Sequence, residues 1–208
     1  MSENPIVTKF KESGWEIAMS DLETLSLAEQ MKALNALIIH HRWELKDLQA
    51  IVKLSSIAEE KINGSDDEEA MSGFKAICFN RAAFFWRGWG DDDVEITPEA
   101  EKEAAPYAMK NLELAIQLKK PDIAVSRAEW AVGAFAWAAG DNSEAAKRFD
   151  RAAELAVGEE DDKEMKMDRA YAMAARGEDP NALLAELDAA EEGGFFADQV
   201  RSAMKVYG

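Results

Sequence analysis

A single cysteine, Cys78, excludes an intrachain disulfide, and His40 and His41 are the whole histidine complement of the 208 residues. Cys78 lies in the apolar run FKAICFNRAAFFW with no histidine near it in sequence, which suits a buried structural thiol rather than a nucleophile. The two histidines are neighbours, so on a helix they point about 100° apart and do not readily share a metal. At the end of an apolar helix they fit a structural or capping role. With no Cys/His cluster, no glycine-rich phosphate loop and no nucleophile beside a base, catalysis has little to stand on. Acid–base work by a pair of the 41 acidic residues is left open.

Proline (5) and glycine (12) are scarce and extended β signals are missing, while hydrophobic residues make up 48%, so a helical globular chain is expected. Basic residues are outnumbered 24 to 41, for a net charge of −17. That balance argues against nucleic-acid binding, which needs clustered Lys and Arg, and against anionic membrane surfaces. The acidity reads as a solvated surface, with an acidic face for a basic partner as the sharper alternative. The stretch MSENPIVTKFKESGW has no basic segment leading into an apolar core, and no apolar run approaches membrane-spanning length. A cytoplasmic protein is the expectation.

What is present is helical periodicity. A short helix is expected over about 6–19, and Ser26 with Glu29 three residues later marks a capping box opening a helix to about His41. A return helix ends at Asn63 and Gly64, where a left-handed cap is cheap. The acidic SDDEE starts a third helix predicted to run to Gly88–Gly90. Thr97 and Pro98 form an N-cap and first-turn pair, and Pro106 should kink or break the helix that follows. Beyond Pro121 the rhythm is helix, short turn, helix, and hairpins of this kind must stack to bury their apolar faces.

The clearest unit is Ala128 to Val157. Gly133, the turn GDNSEA, then Ala145, Phe149 and Ala152 put small residues where helices cross and a large ring in the gap. On these residues the chain resembles the tetratricopeptide repeat family. Trp130 sits one place beyond the usual first aromatic, and Val157 stands where a proline often ends the unit. A weaker copy follows at Ala170, Ala182 and Ala189, with Glu186 in place of the aromatic, and an earlier one at Ala83 to Ala115 is interrupted by DDDVEITPEAEKEAA. The resemblance implies an all-α fold of stacked antiparallel hairpins, a right-handed solenoid of about nine or ten helices. The organisation expected is one domain over 1–208: N-terminal helices and a degenerate hairpin at 1–64, an interrupted hairpin at 65–120, the best hairpin at 121–158, and a degenerate hairpin with a capping helix at 159–208.

The resemblance also implies a concave surface lined by the first helix of each hairpin, around 74–90 and 122–140. Asn80, Phe84, Arg87, Arg127, Trp130, Trp137 and Tyr171 fall on it. Arg and aromatics dominate binding hot spots, and Arg can hold a carboxylate by two points. The family's Lys and Asn clamp for C-terminal carboxylates is not reproduced, so that specificity does not carry over. Phe84, Trp86, Trp130 and Trp137 suit a groove or a core equally. The functional expectation is a non-enzymatic adaptor or scaffold that binds a protein or peptide segment, without a cofactor. Self-association through an exposed end of the stack is a further reading. The alternative is a small-molecule or regulatory-ligand site in the same groove.

The loop DDDVE gives Asp91, Asp92 and Glu95 the look of a Mg²⁺-diphosphate motif, but the second motif such enzymes need is missing. As a calcium loop it puts Ile96 where glycine is needed and Lys102 where glutamate is needed. A solvated acidic loop is the better account, and a metal-dependent enzyme the least favoured reading.

Overall fold

Caps and glycines, more than any long amphipathic pattern, set where the helices start and stop. The structure is a computed structural model that describes residues 4–91, 93–156 and 162–208. Among the described residues there is no strand, and eleven α-helices follow one another: α1 (Pro5–Ser13), α2 (Trp15–Leu22), α3 (Leu27–His40), α4 (Leu48–Ile62), α5 (Glu68–Ala83), α6 (Pro98–Gln117), α7 (Asp122–Ala138), α8 (Asn142–Leu155), α9 (Lys163–Ala175), α10 (Asn181–Ala189) and α11 (Gly194–Tyr207). None of them is long and apolar enough to cross a membrane.

The expected signals act where they were read. Ser26 Oγ accepts from Glu29 N, while the Glu29 carboxylate accepts from Ser26 N at 3.0 Å, which closes the capping box of α3. Thr97 Oγ1 accepts from Ala100 N at 3.1 Å ahead of α6. Three boundaries differ. The first helix is split into α1 and α2 at Gly14, whose φ of 82° lies in the region that favours glycine. Helix α6 runs unbroken through Pro106. Pro106 and Lys102, whose carbonyl loses its N–H partner, both sit on the exposed face, where water serves that carbonyl. Helix α5 stops at Ala83 instead of Gly88, and Trp86 leaves it in an extended conformation before a 3-10 turn at Arg87–Trp89. Gly88 explains the departure. A Cβ there would stand 2.3 Å from the Trp86 ring, so the indole folds over a residue that has no side chain.

The chain divides into two compact units, residues 1–84 and 85–208, where a single domain was expected. The division cuts the expected hairpin at 65–120. Its first helix, α5, packs on α3 and α4, and its second, α6, packs on α7. In the first unit Leu34, Leu37, Ile38, Ile51, Leu54 and Ile77 are fully buried. Gly73 of α5 lies against Met31 of α3, so close that a Cβ would meet the Met31 Cβ at 2.6 Å.

In the second unit, consecutive helices from α6 to α11 pack on one another, and α11 also reaches back to α9 and to the 3-10 turn. The best hairpin is α7 and α8. Gly133 faces the ring of Phe149, which is fully buried with Ala145 and Ala152 beside it on α8. That division of large and small residues is the one the spacing predicts. Val157, the position of the missing proline, lies outside the described residues.

Candidate functional site

Trp130 and Trp137 are two helical turns apart on α7, so they share a face, and Tyr171 of α9 joins them. Trp86, leaving α5, lies edge-on to Trp130 at 5.2 Å and to Trp89 at 5.1 Å between ring centroids. Its Nε1 donates to the Ala134 carbonyl at 3.1 Å, which fixes the indole on α7. Tyr171 stacks on Phe149 at 5.0 Å. From α11, Tyr207 stacks on Trp86 at 5.9 Å and meets Trp137 at 5.7 Å. The consequence is burial: Trp130 is 5% exposed, Trp137 2% and Tyr171 0%. The expectation that these rings line an open groove is therefore corrected. The helix read as a cap lays Tyr207 on the face of α7, and Trp86 and Trp89 cover the rest.

The two arginines expected to grip a partner's carboxylate already grip internal ones. Arg127 donates from Nε to Glu164 Oε2 at 3.0 Å and from a terminal nitrogen to Glu164 Oε1 at 2.5 Å. This pair spans α7 and α9 and is exposed on the Arg127 side. Arg87 donates from its backbone N to Glu101 Oε1 at 2.8 Å and from Nε to Glu101 Oε2 at 3.1 Å. The Tyr207 hydroxyl donates to the same Glu101. Burial alone would lower the pKa of Arg87, but its bonds to Glu101 outweigh this and raise it. Tyr207 is pushed well above the ordinary phenol value, first by burial and then by its bond to Glu101. It therefore stays neutral and keeps donating.

Asn80 and Phe84 belong to the first unit, whereas Arg87, Arg127, Trp130, Trp137 and Tyr171 belong to the second. Asn80 donates to Asn35 at 2.8 Å, tying α5 to α3, and Phe84 lies edge-on to Trp43 at 5.7 Å. The first unit has an aromatic group of its own. Phe10 lies 5.1 Å from His41 and 6.4 Å from Trp15, and Lys53 stands 4.2 Å over the Trp15 ring. These side chains, with Asp47, Gln49 and Ala50, line a surface cavity of 380 Å³.

The second unit also buries an acid, Asp168 of α9, 2% exposed. Burial pushes its carboxyl well above the usual range; Glu164 adds to the rise, while Ser126 and Arg127 oppose it. Ser126 already donates its proton to the Ala152 carbonyl at 2.9 Å. With that proton committed to Ala152, Ser126 offers the Asp168 carboxylate little against its burial. Burial, then the charge of Asp168, raises the pKa of Tyr171. Among the described residues, Tyr171 Oη and Trp130 Nε1 have no hydrogen-bond partner.

Sequence reasoning missed Tyr207, Glu101 and Asp168 as members of this site. Tyr207 and Glu101 are 106 residues apart, and Glu101 sits in an acidic run where no glutamate differs from its neighbours. In the acidic loop Asp91 and Glu95 are exposed, and Asp92 lies outside the described residues. Among the described residues, no three His, Cys, Asp or Glu side chains gather as a metal ion would need. What fold and site define is an all-helical protein of two units, the second built round an aromatic cluster closed by a helix. Compared with known proteins, the chain matches no family model, no curated protein and no solved structure.

Proposed function

We propose that the chain is a non-enzymatic scaffold, built from repeat-like helical hairpins, that binds a protein or peptide segment through its second unit, on the face shared by α7 and α9. The observation that carries this reading is the seating of Tyr207 of α11 on Trp86 and Trp137. A helix that seats a tyrosine ring among aromatic side chains and sets its hydroxyl on a buried carboxylate shows the kind of anchor by which grooves take protein segments. Large rings that bury much area and a few directed polar groups are also the chemistry of interface hot spots.

The test is a photo-crosslinking amino acid placed at Arg127, exposed beside the face, and as a control at Lys110 on the exposed side of α6. A discrete partner protein should be captured from position 127 and not from 110. Capture from neither position refutes the reading. A small-molecule site is favoured not in the expected groove but in the first unit, by the 380 Å³ cavity with Phe10, Trp15 and Lys53 around it. Quenching of Trp15 by a metabolite, lost in Trp15→Phe, would move the functional site there.

A further inference from the structure

The surface cavity of the first unit, 380 Å³, is of the size that takes small molecules, about 300–1,000 Å³. Local chain geometry builds its aromatic side. The break at Gly14 turns α2 off α1, so that Trp15 meets Phe10 edge-on, and the buried His41 ring lies against both, 5.1 Å from Phe10 and 6.3 Å from Trp15. His41 opens a single π-turn, His41–Leu45, on the way from α3 to α4, and such turns recur at functional sites. The chain then folds back. Asp47 N donates to the His41 carbonyl at 3.0 Å, which sets the first turn of α4 beside the imidazole. Among the described residues neither His41 ring nitrogen has a hydrogen-bond partner, so this wall of the cavity carries an unmet polar need.

Two charged side chains line the cavity, and they are not alike. Asp47 is engaged: its Oδ1 accepts from Ala50 N at 3.0 Å as the cap of α4, and its Oδ2 lies 3.6 Å from His41 Nδ1. Lys53 is not. Its ammonium stands 4.2 Å over the Trp15 ring, and among the described residues no carboxylate pairs with it, in a chain where acids outnumber bases 41 to 24. Gln49 and Ala50, also in the lining, belong to the first turn of α4, the end of a helix that favours negative charge. A cationic guest would meet Lys53 on the Trp15 face, whereas an anionic one meets an unpaired ammonium beside flat apolar rings. We propose that the first unit binds a small aromatic carboxylate, whose ring packs against Phe10, Trp15 and His41 and whose carboxylate pairs with Lys53. This rests on the small-molecule reading of the first unit and is independent of partner binding by the second.

The probe is 2-naphthoate, with 2-naphthamide and 2-naphthylmethylammonium as its neutral and cationic counterparts, each titrated into the full chain by isothermal calorimetry. Naphthoate should bind, and the amide should bind about tenfold more weakly or worse. Lys53 is exposed, so Lys53→Met should fold. It should bind naphthoate about as weakly as the unaltered chain binds the amide, and Lys53→Arg, which keeps the charge, should restore the affinity. Trp15→Leu, with its circular dichroism unchanged, should lose naphthoate. Naphthoate binding that is unaltered in Lys53→Met or in folded Trp15→Leu places the ligand elsewhere and overturns the proposal. Amide or ammonium binding as tight as that of naphthoate overturns the carboxylate class and leaves the small-molecule reading standing, whereas no binding of any of the three removes both. Naphthoate binding together with partner capture from position 127 gives the chain two sites. Naphthoate binding without that capture leaves the cavity as its functional site.

Discussion

The first unit gathers Phe10, Trp15, His40 and His41 beside a surface cavity, whereas the second gathers Trp86, Trp130, Trp137 and Tyr171 into an interior that Tyr207 seals. Both clusters are built of rings meeting edge to face. They differ in what lies on the open side, solvent in the first and a helix in the second. An aromatic cluster is thus no indicator of a groove until the elements that cross it are known.

The sharpest break of this comparison is truncation of one ring on each side. Trp86→Ala removes a fully buried indole together with its bond to the Ala134 carbonyl, so it should destabilise the second unit by about 3–5 kcal/mol. Trp15 is half-buried and holds Lys53 across its face, so Trp15→Ala should cost the first unit about 1–2 kcal/mol. Urea unfolding followed by far-UV circular dichroism measures both. Equal losses would show that the two clusters are equally structural.

Each unit also has a helix crossing made close by a glycine, and the two differ in what the glycine touches. At Gly73 a new Cβ meets the Met31 Cβ at 2.6 Å, an atom fixed to its backbone; at Gly133 it meets the Phe149 ring at 3.0 Å and the Arg148 Cβ at 3.1 Å. Overpacking costs about 1–3 kcal/mol, against about 1 kcal/mol that alanine regains in helix propensity. Gly73→Ala should therefore be net destabilising and Gly133→Ala close to neutral, as read from urea midpoints. A larger loss at Gly133 would place the tighter crossing in the α7–α8 hairpin.

The second glycine was legible in the sequence and the first was not, for a physical reason. Gly133, Ala145, Phe149 and Ala152 lie within one hairpin, where local spacing alone determines which residues face each other. The same holds for Ser26 with Glu29 and Thr97 with Ala100, bonds that span three residues. Gly73 meets Met31 across two helices, Arg127 finds Glu164 37 residues away, and Tyr207 finds Glu101 across 106. No local pattern marks those partners. Residue types at the site were thus readable, but not that the arginines were already satisfied or that α11 lay on the rings. The end of α5 failed for a related reason, because Trp86 folds over Gly88 only to reach Ala134 on α7.

Each unit buries a titratable group in its neutral form, and the two are of opposite kind. In the first, His41 is 3% exposed. Burial lowers its pKa, and Asp47, 3.6 Å from Nδ1, opposes the shift. The unfolded chain takes up a proton near the ordinary histidine value of about 6.5 while folded His41 resists, so acidification through that value destabilises the first unit. In the second, burial raises Asp168. Its folded form keeps a proton that the unfolded chain releases near about 3.9, so stability is fullest below that value and is lost as pH rises toward the folded pKa. Relative to the unaltered chain, Asp168→Asn should gain stability as pH rises from about 4, by at most about 1.4 kcal/mol per pH unit. His41→Gln should gain as pH falls from about 7. Urea titrations across this range give both slopes. A pH-independent offset for Asp168→Asn would mean that the carboxyl titrates alike in the folded and unfolded chain, and would remove the contrast between the two units.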